Sequence, residues 1–463
     1  MEKKLRPRLS GGLSGALIYG LCAALALCMA GYAYLCPPPM TDAVVTSADR
    51  LFLALVFGLL YGGALLWIAL RHRPPDLMAF LFPAAALAAL LGARLALMSN
   101  ISIDMRAALL PWCEKLDAMS FTSALGASVG DYNVPYLYIL ATITHLPISP
   151  IFGIKAVSIL FDVVLAFAVT ECVALTGKAN YFTRIGAFLL TMALPTVLVN
   201  SAWWGQCDGM FTAFCVLAIY CAVRERGWWA MALFATAFAL KLQAIFILPA
   251  LIGCFIIGRI KPKHLLIFPA VFAAWCVPAL LCGRGLRDTL SIYLDQADGY
   301  GRITLNAPNV YQFLGRESIF NEGLFPALNG MAIMLAGCAA VLLLWIFWTH
   351  RKRLNTEQVL MLFFISAAVI PYLLPRMHER YFFPADILAL VLYFWNRKRW
   401  YVPVLTVGGS FLSYIPFLFR DLTVDYRIGS VMIFAAMFFV TRELLRELKE
   451  AQEEKELPAY TNK

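Results

Sequence analysis

Three stretches of this chain gather side chains able to do chemistry. In "IDMRAALLPW", Asp104 stands where an apolar run ends and an amphipathic segment begins. A carboxylate in that position either caps a helix N-terminus or acts on a ligand, and taken alone capping is the commoner use. In "NSAWWGQCDGMF", Trp203, Trp204, Gln206 and Asp208 form a compact polar break between two apolar runs. The tryptophans suit an interfacial aromatic belt and Asp208 a second cap, but an amide beside an acid also suits hydroxyl recognition. In "PRMHERYFFPAD", Arg376, His378, Glu379, Arg380 and Tyr381 crowd between apolar segments. Snorkelling at an interface accounts for one or two such residues. Five together suit an anionic ligand.

Asp162, Lys241 and Asp386 lie deeper, each within an apolar run. A charge at the centre of a membrane helix costs about 2.5 to 3.5 kcal/mol on insertion scales, so it is normally paired or functional. Asp162 and Lys241 are expected to pair, and the sequence leaves open whether that pair fixes helix packing or serves a substrate.

The elements that must position these residues are set by composition. Of 463 residues, 61% are hydrophobic and 14% charged, far from the balance of a soluble globular chain. An all-α integral membrane protein with about 12–14 transmembrane helices is expected. Its spans fall near 13–35, 51–70, 77–98, 152–174, 185–202, 209–223, 228–240, 244–258, 265–282, 324–348, 359–375, 382–395, 402–419 and 428–440. They form one domain, 1–440, followed by a charged tail, 441–463. Short basic segments, "MEKKLRPR", "RHRPPD", "KANYFTR", "RERG", "GRIKPKH", "HRKR" and "NRKR", fall on one side of that list together with the tail. The positive-inside rule makes this side cytoplasmic, termini included.

The net charge of +10 is therefore a topology signal and not a nucleic-acid footprint. The first apolar run reads as a signal anchor. The outward loops are then 99–150, 283–323 and 376–381, and function should collect there. In the first, Met105, Leu109, Trp112, Leu116 and Met119 make one helical stripe, predicting an amphipathic helix flat in the interface. Most of the 12 cysteines lie inside spans, and neither they nor the five histidines show metal-ligand spacing. No metal site is indicated.

The order of "IDMRAALLPW", "DYNVPYLYIL", "LFD", "WWGQCD", "KLQAIFILP", "NAPNVYQFLG" and "HERYFFPAD" resembles the glycosyltransferase-C superfamily, most closely bacterial relatives of the second mannosyltransferase of glycosylphosphatidylinositol assembly. The resemblance covers roughly residues 100–390 and departs at the front, where three spans instead of one precede the loop aspartate. It implies transfer of a hexose or similar sugar from a polyprenyl-phosphate donor to an acceptor hydroxyl on the outer face, at a bacterial plasma membrane. On that reading Asp104 is the general base of an inverting reaction. His378 and Arg380, with Arg376 and Lys241 in reserve, hold the donor phosphate. Trp203, Trp204, Gln206, Asp208, Tyr132, Glu379, Tyr381 and Asn309 contact sugar or acceptor. No cofactor is required; a divalent metal is optional. The opposing reading is a flippase or transporter of lipid-linked glycans, whose site would lie near the midplane between repeats.

Overall fold

The computed structural model describes residues 15–40, 44–298, 301–314, 319, 321–420 and 423–456. The basic segment at 1–8, residues 299–300, 315–318 and 320 of the expected 283–323 loop, and the tail from 457 lie outside the described residues. The protein is all-α apart from one two-residue parallel strand pair among the described residues. Nine described helices are long and apolar enough to cross a bilayer; a tenth span results if Tyr181–Ala193 and Pro195–Trp204, bent by 51°, count as one.

Four other apolar runs form shorter helices: Asp208–Val223, Gly227–Leu240, Leu242–Ile256 and Phe383–Trp395. Each falls short of the roughly 20 residues a bilayer requires. Apolar composition reports burial in lipid or in protein alike, and Phe383–Trp395 is almost wholly buried by its own chain. A further short apolar helix, Val134–Thr144, lies inside the expected 99–150 loop.

Two compact units divide the chain, residues 1–124 with 138–209 and residues 125–137 with 210–463. In the first, helix starts are marked by side chains that satisfy otherwise orphaned N–H groups. Asp76 accepts from Ala79 N at 2.8 Å, and Thr46 with Asp49 forms a reciprocal capping box. The other Asp49 oxygen accepts from Ser149 N at 2.7 Å, tying the start of Pro150–Ala174 to that of Ser47–Trp67. Small residues let Gly15–Leu35 and Ser47–Trp67 approach closely, as helices without a hydrophobic drive between them require. A Cβ on Gly58 would lie 2.9 Å from Ala30 Cβ, and one on Gly62 2.8 Å from Ala26 Cβ.

The charged interior of this unit corrects the expected Asp162–Lys241 pair. Arg94 Nε donates to Asp162 Oδ2 at 2.9 Å, both side chains being buried, and Arg94 Nη2 donates to Met192 O at 2.8 Å. Ser201 Oγ donates to the same Asp162 oxygen. Lys241 belongs to the second unit.

In the second unit, Arg399 is buried and bridges Glu357 at 2.6 Å, Glu443 at 3.0 Å and Glu447 at 3.5 Å, joining the starts of Thr356–Leu373 and Tyr401–Phe419 to the middle of Tyr426–Glu456. Gly409 and Gly429 meet so closely that a Cβ on either would fall within 2.8 Å of the other's carbonyl oxygen. The strand pair sets Thr304 beside Met377 and Leu305 beside His378, and Arg376 N donates to Ile303 O at 2.8 Å. Arg376 and Asn306 take positive φ, 61° and 64°, so the chain turns sharply on both sides of this contact.

Two stability predictions follow from these contacts. Gly58→Leu should destabilise the protein by about 1–3 kcal/mol through overpacking, whereas Gly63→Leu, with nothing within 4 Å of its added Cβ, should change the midpoint of thermal unfolding in detergent little. Arg94→Met strands a buried carboxylate and should cost about 3–5 kcal/mol. Adding Asp162→Leu should restore most of that loss in the same measurement.

Candidate active site

In the first unit the helix after residue 102 starts two residues earlier than the stripe suggests. Its cap is Ser102, whose Oγ accepts from Met105 N at 3.2 Å. Asp104 is already helical, at φ −62° and ψ −38°, and makes no capping hydrogen bond. Its carboxylate is held from elsewhere: Trp204 Nε1 and Gln206 Nε2 each donate to Asp104 Oδ2 at 2.9 Å. The capping expectation therefore gives way, and the first two polar stretches converge.

After Ile103 and Asp104 the segment makes one π-turn, Met105–Leu109, and continues as Leu110–Asp117. Of the expected stripe, Met105, Leu109 and Leu116 are buried, Trp112 is half-buried and Met119 exposed; Cys113, outside that stripe, is buried with them.

The "WWGQCD" turn owes its shape to Gly205. A π-helix, Val199–Trp204, ends at Gly205 with φ 78°, where only glycine sits without strain. Gly205 N then donates to Ser201 O at 3.1 Å and Gln206 N to Asn200 O at 2.9 Å, closing the helix end and directing Gln206 back towards Asp104. A Cβ at Gly205 would also meet Met105 Cε at 2.4 Å. Trp204 is fully buried, so it enters the site through its N–H and not through the face of its ring. Trp203 is half-buried. Asp208 is fully buried and accepts from Asn200 Nδ2 at 2.9 Å, which places it beneath the turn.

Two further contacts join the loop before Asp104 to this turn. Ser102 Oγ donates to Trp204 O at 2.9 Å, and Asn100 Nδ2 to Trp203 O at 3.2 Å. Beneath them lies Lys155, fully buried, whose ammonium donates to Met98 O, Asn100 O and Trp203 O. Neither Lys155 nor Arg94 stood out in the sequence. A charge late in one span or early in another reads as interfacial, and carbonyl partners carry no residue signature.

The second unit assembles the basic residues. Lys241, buried, ends Gly227–Leu240 in extended conformation and points its ammonium towards two rings, 5.6 Å from the centroid of Phe211 and 5.8 Å from that of Tyr381. His378 packs edge-on against Tyr381 at 5.1 Å. Arg380 Nη1 donates to Glu379 Oε1 at 3.3 Å, and Glu379 Oε2 lies 3.9 Å from His378 Nδ1. Burial, followed by the positive charges of Arg380 and Lys241, holds the His378 imidazole well below its ordinary 6.5, so it is neutral at pH 7. Lys241, His378, Arg380 and Tyr381 thus form one cluster, with Glu379 beside Arg380 and His378.

The remaining expected residues are placed differently. The Arg376 guanidinium lies over the Phe325 ring at 5.1 Å. Tyr132 packs against Tyr136 at 4.6 Å with the rings tilted by 35°. Asn309 is fully buried: its Oδ1 accepts from Tyr311 N at 3.2 Å and its carbonyl from Ser430 Oγ at 2.8 Å, so it shapes the 301–314 segment from within. Asp386 accepts from Ser410 Oγ at 2.8 Å. Among the described residues no three His, Cys, Asp or Glu side chains gather as metal ligands would.

No curated protein matches this chain. Residues 132–375, more than half of its length, match glycosyltransferase family 87. The match includes the "WWGQCD" turn and Lys241; Asp104 precedes it and the "HERY" residues follow it directly. On that match, and consistently with an all-α membrane fold, the chain belongs to glycosyltransferase family 87.

Proposed function

We propose that this glycosyltransferase moves a hexose or similar sugar from a polyprenyl-phosphate donor to an acceptor hydroxyl, with inversion and with Asp104 as general base. The observation that carries the reading is the Asp104 carboxylate itself. It sits inside a helix that it does not cap, oriented by two neutral side-chain donors from a turn about a hundred residues away. The two donors fix the direction of the carboxylate. A hydroxyl attacking an anomeric carbon must lose its proton as the bond forms, and a positioned carboxylate takes it.

The donor side of the reaction has a different need. Its leaving group is a phosphate, which wants stabilisation of negative charge more than protonation. Lys241, Arg380 and His378 supply it. Arg380 can grip two phosphate oxygens at once, and Lys241 adds a point charge against aromatic walls. Arg376 stays in reserve. Trp203, Gln206, Asp208, Tyr132, Glu379, Tyr381 and Asn309 are assigned to shaping the sugar and acceptor sites, directly or through the backbone they hold. The basic cations make a divalent metal dispensable. A soluble nucleotide-sugar is disfavoured by the absence from the sequence of a glycine-rich phosphate loop or Asp-x-Asp pair.

The glycosyltransferase-C architecture, the mannosyltransferase-like kinship and the outward-facing site at a bacterial plasma membrane belong to the same proposal. The basic segments at 71–73, 178–184, 259–264, 351–353 and 397–399 support the orientation, since they mark the cytoplasmic side by the positive-inside rule.

Asp104→Asn keeps the hydrogen-bonding shape and removes the base. Release of polyprenyl phosphate from a panel of polyprenyl-phosphate hexoses, offered with acceptor-containing membrane extract, should fall by about 10²- to 10⁴-fold, with the thermal midpoint little changed. Full activity in the variant would sink the assignment.

His378 gives a pH dependence of definite sign. It is neutral before the donor binds, and an anionic phosphodiester beside it favours its charged form. Proton uptake therefore accompanies binding, and affinity rises as pH falls from 8 to 5.5. The gain is at most about tenfold for each pH unit by which the ligand raises the imidazole. A polyprenyl phosphodiester keeps one charge over that range, so His378→Gln should flatten the slope. An identical slope in the variant, read by titration in lipid discs, would count against this role.

A further inference from the structure

Lys155 stands in the second turn of Pro150–Ala174, on a helix that supplies none of the residues placed around Asp104. Burying an ammonium in an apolar helix is costly and persists only where hydrogen bonds satisfy it. Every hydrogen bond shown for Lys155 goes to backbone carbonyls, those of Met98, Asn100 and Trp203. Two of these lie just ahead of Asp104, and the third adjoins Trp204, which donates to it. The stem of Lys155 passes beneath the turn, since a Cβ on Gly205 would lie 3.6 Å from Lys155 Cγ. An ammonium has three donors and no acceptor, which matches three carbonyls from two chain segments. Side-chain contacts between the same segments, Ser102 to Trp204 O and Asn100 to Trp203 O, are single neutral hydrogen bonds.

We propose that Lys155 is the positioning residue of this site: its ammonium clamps the 98–100 segment to the Trp203–Gln206 turn and so fixes the direction of the Asp104 carboxylate. The step at stake is acceptor deprotonation, so the inference rests on the reading of Asp104 as the base. A misplacement of about 1 Å at such a group lowers a rate by about 10²-fold without touching donor binding.

The test compares native protein, Lys155→Met and Lys155→Gln in lipid discs by two independent readouts. The first is amide hydrogen exchange, which does not depend on any activity. Lys155→Met should speed exchange at least tenfold in residues 98–106 and 199–207 while the rest of the first unit stays protected, and Lys155→Gln, with two donors on a shorter stem, should fall between. The second is release of polyprenyl phosphate from the donor panel, where kcat should drop at least tenfold and donor KM should stay within twofold.

Unchanged exchange in the two segments overturns the clamp. Protection lost throughout the first unit also overturns it, because Lys155 is then a general stabiliser; if Lys155→Met does not fold, the same criteria are applied to Lys155→Gln. Faster exchange with unaltered kcat, while Asp104→Asn is inactive, overturns the positioning role. Should native protein release nothing from any donor, the functional reading fails and hydrogen exchange alone decides the clamp.

Discussion

A cation or carboxylate inside an apolar segment has to find its partners within the protein, because hydrocarbon offers none. In the first unit this constraint arranges everything around Asp104. Arg94 is answered by Asp162 and Met192 O, and Lys155 by three carbonyls. Ser201 and Asn200, in the π-turn, add polar contacts to Asp162 and Asp208. The stretch from Pro195 to Gln206 is consequently irregular, with a bend, a π-helix and a left-handed glycine. Irregular backbone among apolar helices persists where protein groups satisfy it, and here Lys155, Asn100 and Ser102 donate to its carbonyls.

The second unit meets the same constraint by other means. Its basic cluster lies where helices stop, and aromatic rings and the Glu379 carboxylate are among its partners. Lys241 faces Phe211 and Tyr381, and Arg380 leans on Glu379. A short strand pair with left-handed turns at Asn306 and Arg376 fixes the backbone of His378. Asn309 acts one step behind, capping the turn that follows the strand, while Ser430 anchors its carbonyl. The residues that resemblance assigns to a ligand thus divide into side chains that can meet one and side chains that hold the loop in place.

How much of this was legible in the sequence follows from the kind of partner involved. The apolar runs announced a helical membrane protein, and all fourteen expected spans correspond to helices, although four are too short to cross a bilayer alone. Hydropathy cannot separate a helix buried in lipid from one buried in protein. The convergence of "IDM" with "WWGQCD" was foreshadowed only by their residue types, and the cap fell to Ser102 because the helix begins two residues earlier than the stripe implied. Asp162 was recognised as needing a cation, yet a sequence lists charges and not their distances; Arg94, 68 positions away, took the place given to Lys241. Lys155 left no signal at all, since its partners are carbonyls that any residue can provide.

The two halves of the proposed chemistry call for opposite electrostatics, and the protein treats them so. On the proposed reading a base must keep a fixed direction, and N–H donors on one Asp104 oxygen hold it while the ammonium of Lys155 is occupied by carbonyls. A phosphate grip must carry positive charge before its ligand arrives, and packing cations close together is unfavourable. Keeping His378 neutral until then lowers that repulsion, because only Lys241 and Arg380 are charged in the unliganded cluster, with Glu379 between Arg380 and the imidazole. In the proposed reaction the ligand itself brings about the third positive charge, so the repulsion and the attraction appear together.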